Sequence, residues 1–245
     1  MHLTDLGSAV APDNVRQSPY SNVPQPFHAD TADIIALYTL SIPESGGRSL
    51  LASSGMIYNE VAGLYPQHIV ELAKNNWAYD TFGRKPAYNM RPLIHKLDKG
   101  SPLPVLLSFS RRPLTGSPVS PRSEGVPTLT VEQSDALDTV HFTADAHKIS
   151  ITQLPGDIQY WNNFALLHAR EGFTDSKDKK RHLMRLWLRD DEKAKLFGTE
   201  VMPEALKGYW EEAFGYQEGE VESWPTRPIA EKNFVCEQRR SCGHA

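Results

Sequence analysis

His28-Ala-Asp30 near the start of the chain and His168 far downstream are residue types that can share one metal ion. Two imidazoles and one carboxylate can cap one face of an octahedral iron(II) ion and leave its other positions open. On a strand, residues i and i+2 point to the same face. His28 and Asp30 would then present a ring nitrogen and a carboxylate oxygen side by side, and His168, closing the segment FALLHA, would reach them from a distant strand. Arg181 follows His168, and its planar guanidinium offers two parallel donors to a carboxylate. On spacing alone the His-x-Asp pair reads more readily as a helix cap or a surface contact, because so short a motif recurs by chance. Arg181 alone, beside Lys179 and Lys180, reads as a solvated charge.

Composition narrows the classes. A chain of 245 residues with 40% hydrophobic content and five Trp can bury a core as one domain. The net charge is −4 with the signs interspersed, so no basic block suggests nucleic acid. No apolar run approaches the ~20 residues that cross a bilayer. The first residues lack a basic region followed by an apolar one, so no signal peptide is expected. Cys236 and Cys242 do not make a disulfide framework, and with His244 they are too few and too unpatterned to indicate a zinc site. The expectation is a cytoplasmic protein acting on a small molecule, with no nucleic-acid or membrane partner; homo-oligomerisation is left open. Walker, dinucleotide-binding, HExxH and GxSxG motifs are absent from the sequence.

The elements that must position these residues are read from pattern. Residues 1–26 are polar and proline-containing and are expected to be an irregular arm. ADIIALYTL (32–40) is of strand type, PESGGRS turns the chain, and the following segment has helical spacing divided at Pro66. Residues 75–101 show no period and read as a long loop. LPVLLSF (103–109), KISITQL and DIQYWNN read as strands, and Thr130 with Gln133 predicts a capping box opening a helix. RHLMRLWL alternates, placing Arg181, Leu183, Arg185 and Trp187 on one face. A further amphipathic helix is expected over 203–216. Strand runs with Gly/Pro turns and a few helices give a mainly β fold with helical cover.

Four blocks, in order, make the resemblance specific: FHADTAD, PESGGRSLLASS, RRPLTGSP, and LPGDIQYWNNFALLHAREGF with RHLMRLWLRD. Together they resemble the TauD/TfdA superfamily of iron(II)/2-oxoglutarate oxygenases, in a version similar to fungal members. The resemblance implies a double-stranded β-helix, a jelly-roll or cupin-like barrel, over 27–215, followed by an irregular tail over 216–245. It implies iron(II) held by His28, Asp30 and His168, with 2-oxoglutarate and dioxygen as cosubstrates. Ser49 and Arg181 then bind the distal carboxylate of 2-oxoglutarate, and Arg185 lies near its keto-acid end or near an anionic group of the substrate, with an internal ion pair as its alternative. Asn163 is a candidate contact behind the metal or to the substrate, whereas Trp161 reads as core. The implied activity is hydroxylation, desaturation or ring closure of a small molecule in specialised metabolism. Family members carry several tens of residues before the His-x-Asp segment, and this chain carries a short polar arm. The alternative is therefore a truncated, catalytically inactive paralogue acting as a binding or scaffold module.

Overall fold

Alternation along the last strand organises the molecule. Arg181, Leu183 and Arg185 are buried while the residues between them are less so, as expected of a strand with one face on a core. The computed structural model describes residues 1–10, 16, 18–97, 105–117 and 121–189. Two antiparallel four-stranded sheets face each other. One runs β1 (His2–Thr4), β14 (His182–Leu188), β3 (Ile34–Ser41), β11 (Ile158–Asn162), and the other β10 (Ile149–Ile151), β5 (Ser49–Ser53), β12 (Leu166–Arg170), β2 (Gln25–His28). The chain crosses repeatedly from one sheet to the other, giving a double-stranded β-helix.

Leu37, Leu51, Trp161 and Leu183 fill the space between the sheets. The outer face of the second sheet carries Leu50, Ala52, Leu167 and Ala169 into a larger core under α1 (Ser54–Leu64), α2 (Pro66–Leu72) and α4 (Val131–Ala146). On β5 and β12 the period of two therefore sends apolar residues to the helices and leaves Ser49, His168 and Arg170 facing inward. Ser53 caps α1, and Pro66 divides the helical segment by opening α2. Thr130 and Gln133 form the expected capping box of α4.

Two expectations are corrected. The arm over 1–26 is not irregular throughout: β1 pairs with β14, Ser18–Tyr20 form a 3-10 turn, and β2 begins at Gln25. Three residues are too few for a period to show in the sequence. The described part of the expected 75–101 loop, residues 75–97, is not one loop either. It holds β6 (Trp77–Asp80), β7 (Tyr88–Arg91) and β8 (Ile94–Lys96), the last paired with β9 (Val105–Leu107). Trp77, Ala78 and Tyr79 are all buried, so the strand does not alternate and escapes a search for period two. Two short elements complete the fold, β4 (Ser45–Gly46) paired with β13 (Phe173–Thr174), and a single turn α3 (Arg112–Thr115). Among the described residues no helix is long and apolar enough to cross a membrane. The expected helix over 203–216 and the tail residues Cys236, Cys242 and His244 lie outside them.

His95 on β8 carries a testable consequence. Burial first, and the charge of Arg91 second, lower its imidazole to about 4. The unfolded ring takes up its proton near the ordinary value of about 6.5. Between those values the unfolded chain binds more protons, so the stability is fully present above pH ~6.5 and is lost as the pH falls. Going from pH 7.5 to 5 should cost about 2 kcal/mol through this residue. Urea midpoints of wild type and His95→Gln at both pH values check it: the variant should lose about that much less on acidification, and equal losses would refute it.

Candidate functional site

His28 ends β2 directly opposite His168 on β12. Their rings lie 4.0 Å apart between centroids. Beyond β2 the chain turns, and Asp30 meets both rings: Oδ1 is 3.6 Å from His28 Nε2 and Oδ2 is 3.7 Å from His168 Nε2. One ligand atom from each of the three residues lies within 4.8 Å of the others, and all three are buried. This is the one such cluster of His, Cys, Asp and Glu among the described residues.

The protonation states suit a cation. Burial pushes His168 well below the ordinary histidine value and lowers His28 as well, so both rings are neutral at pH 7. The Nδ1 of His28 lies 2.9 Å from Pro26 O, which assigns its proton there and leaves Nε2 with a lone pair. Gln25 Nε2 lies 3.2 Å away and donates to that lone pair. Burial alone would raise the Asp30 carboxyl, but Arg185, His168 and His28 outweigh it and hold it below its ordinary value. Arg185 Nη1 donates to Asp30 Oδ2 at 2.8 Å and Trp187 Nε1 donates to the same oxygen at 2.9 Å. Asp30 Oδ1 is buried and has no hydrogen-bond partner. A buried, unpartnered carboxylate oxygen beside two neutral imidazoles suits a divalent cation.

Asn163 holds this segment in place. It is 2% exposed; its Oδ1 accepts from Asp30 N, and its Nδ2 donates to Asp30 O and Ala32 O. Every polar atom of the amide is spent on backbone, so Asn163 is a positioning residue and the expectation of a substrate contact is corrected. Arg185 meets the internal ion pair that was its alternative. It reaches the cleft wall, and its guanidinium is engaged by Asp30 and by Met1 Sδ at 3.2 Å. Trp161 is buried as expected, and its ring lies 5.0 Å from that of His168. His182 packs its ring on His2, with nitrogens 2.7 Å apart.

A cleft beside the cluster is lined by Ser49, Trp161, His168, Arg170, Arg181 and Arg185. Ser49 and Arg181 thus line one cleft. Arg181 is 3% exposed. Its Nε donates to Gly47 O at 3.3 Å, its backbone N–H donates to Asp175 Oδ1 at 2.8 Å, and its Nη1 is buried without a partner. Burial lowers the guanidinium to about 10, against the opposing pull of Asp175. The Gly-Gly pair of PESGGRS permits the approach. A Cβ at Gly47 would sit 3.0 Å from Arg181 Cδ, and one at Gly46 would meet Gly172 O at 2.3 Å; both residues have positive φ. The expectations from sequence passed over Arg170, although its i+2 spacing from His168 puts it on the same strand face.

The model of the family described as "Taurine catabolism dioxygenase TauD, TfdA family" matches residues 3–187. The chain belongs to the TauD/TfdA family. A taurine hydroxylase-like protein, SAT17, from Stachybotrys chartarum is 39% identical over 172 residues, covering 69% of this chain and 43% of that protein. FR-33289 synthase from Streptomyces rubellomurinus is 28% identical over 185 residues, covering 69% of this chain and 50% of the synthase. The chain spans about half the length of these curated relatives. Asparagine oxygenase, solved with Fe(II), hydroxyasparagine and succinate, superposes with a TM-score of 0.59 at 14% identity over 79% of this chain and 58% of its own. The non-haem iron oxygenase OrfP, solved with Fe and alpha-ketoglutaric acid, does so with a TM-score of 0.55 at 16% identity over 80% and 58%. Both likenesses concern the fold. The TauD/TfdA match begins within β1, so the strand that the polar arm concealed falls inside the family's domain.

Proposed function

We propose that this chain is an iron(II)- and 2-oxoglutarate-dependent dioxygenase that oxidises a small molecule in specialised metabolism. The observation that carries the proposal is the unpartnered Asp30 Oδ1, set among two neutral imidazoles and beside a cleft with unpaired guanidinium donors. His28, Asp30 and His168 would hold the metal, and Ser49 with Arg181 would hold the distal carboxylate of the keto acid. The same donors can bind zinc; the cationic cleft beside them and the family favour iron with a keto acid. When bound, the iron and the keto acid supply the oxidation: dioxygen is consumed, 2-oxoglutarate becomes succinate and carbon dioxide, and the substrate is hydroxylated, desaturated or cyclised.

The protein's part is to bind, orient and exclude water. The depressed histidine values keep both rings neutral near neutral pH, so a metal would displace no proton and, at His28, only the Gln25 amide. Arg185 and Trp187 bond Oδ2 of Asp30, the oxygen nearer His168, and leave Oδ1 beside His28, the usual service of groups behind a metal ligand. Arg181, with no acidic partner in its ion-pair range among the described residues, keeps a buried positive charge for a carboxylate. Trp161, Leu37 and Leu51 line the cleft with apolar surface.

Anaerobic visible absorption tests the proposal. Adding iron(II) and then 2-oxoglutarate to the apoprotein should produce a weak charge-transfer band that requires both. The band should vanish in His168→Ala and in Arg181→Ala at moderate 2-oxoglutarate concentration. If the wild-type chain takes up no iron and forms no band, the oxygenase reading fails and the binding-module alternative replaces it.

A further inference from the structure

Arg170 sits on β12 between two neighbouring strands. The register puts it opposite Ser49 of β5 on one side and Gln25 of β2 on the other. Directly opposed residues share a face with Cβ atoms ~5 Å apart, so Arg170 adjoins the very serine assigned to the distal carboxylate. Its side chain is 7% exposed and lines the same cleft as Arg181. One donor, Nη2, is used on Val23 O, while Nε is buried without a partner. The guanidinium carbon lies 4.9 Å from the centre of the Phe173 ring, and that of Arg181 lies 5.4 Å from the same ring. Two buried guanidinium groups thus flank one aromatic ring, and neither forms an ion pair with a carboxylate of the described residues.

Asp5 and Asp175 offset the two charges only in part, without ion-pair contact among the described residues, and buried like charges so weakly answered are costly. A staple for one backbone carbonyl needs a donor but not a full charge, and it does not explain why a second cation stands beside Arg181. We propose that Arg170 is a second guanidinium of the keto-acid site, which with Arg181 selects 2-oxo diacids over 2-oxo monoacids. This inference rests on the functional reading above. Ser49, Arg170 and Arg181 line the same cleft, so a carboxylate bound among them would meet one hydroxyl and two guanidinium donors. A methyl group in its place leaves the Nε of Arg170 and the Nη1 of Arg181 without an acceptor.

The test is anaerobic titration calorimetry of the full iron(II)-loaded chain with 2-oxoglutarate and with 2-oxopentanoate, which matches it in chain length but lacks the distal carboxylate. Arg170→Gln should weaken 2-oxoglutarate roughly 10- to 100-fold, the worth of a charge-assisted bond. Its affinity for 2-oxopentanoate should be unchanged within roughly threefold. Arg170→Lys, which keeps the charge but not the fork, should fall between wild type and Arg170→Gln. Thermal unfolding without ligands guards against a merely structural effect: Arg170→Gln should melt no lower than wild type, because losing one of two like charges offsets the bond to Val23 O. An unchanged 2-oxoglutarate affinity, or an equal loss for both acids, overturns the role of Arg170 and leaves the functional reading standing. A wild-type chain that binds iron yet neither acid overturns that reading, and this inference with it.

Discussion

Asp30→Ala should abolish iron uptake and also destabilise the metal-free chain by about 3–5 kcal/mol. The metal effect follows from losing the only carboxylate of the cluster. The stability effect has a separate cause. Asp30 Oδ2 accepts from both Arg185 and Trp187, so alanine strands a buried guanidinium and an indole N–H. The two effects separate in the double variant Asp30→Ala/Arg185→Leu. Both buried charges are then gone, so most of the lost stability should return, whereas iron uptake should not. Guanidinium-chloride unfolding of the apo chains, with iron binding measured in parallel, checks this. A single variant as stable as wild type, or a double variant no more stable than the single, would refute the assigned pairing. Because the folded carboxyl is held below its ordinary value, the stability it contributes is present above the unfolded value of about 4 and is lost as pH falls through the folded one.

Asn163→Ala should cost about 3–5 kcal/mol and lower iron affinity although Asn163 is not placed on the metal. Its amide is the only side chain bonded to the backbone of both Asp30 and Ala32 among the described hydrogen bonds. Removing it leaves a buried N–H and two carbonyls short of a partner, each worth about 1–3 kcal/mol. The substitution that discriminates is Asn163→Asp. It keeps the shape but turns two donated bonds into carboxylate-carbonyl contacts, so it should be at least as damaging as alanine. Calorimetric melting of the apo forms with iron titrations checks the order. An Asn163→Asp chain close to wild type would mean that the amide is oriented otherwise.

Much of the fold could be read locally. The capping box of α4, the break at Pro66 and the alternation of Arg181, Leu183, Arg185 and Trp187 depend on residues within a turn or a pleat of each other. The short strands could not be read that way: β1 is three residues long, and β6 is buried on both faces, which erases the period of two. At the site, the family resemblance carried by the four blocks named His28, Asp30 and His168, whereas residue type and spacing alone left His-x-Asp a chance motif.

Which polar group meets which was decided by the tertiary structure. Arg185 and Asp30 are 155 positions apart in the chain, and either could have been aimed at a ligand. The facing of the two sheets puts them at 2.8 Å, and the favourable state of two buried opposite charges is contact. Asn163 was drawn to the backbone of Asp30 and Ala32 for the same reason, since a buried amide must spend all its bonds. Arg170 and Arg181 came out the other way: the sheets brought two like charges to one ring, with no carboxylate in ion-pair contact among the described residues. Chemistry of the residue type is local and survives in the sequence, while the balance of buried charge is a sum over neighbours that only folding assembles.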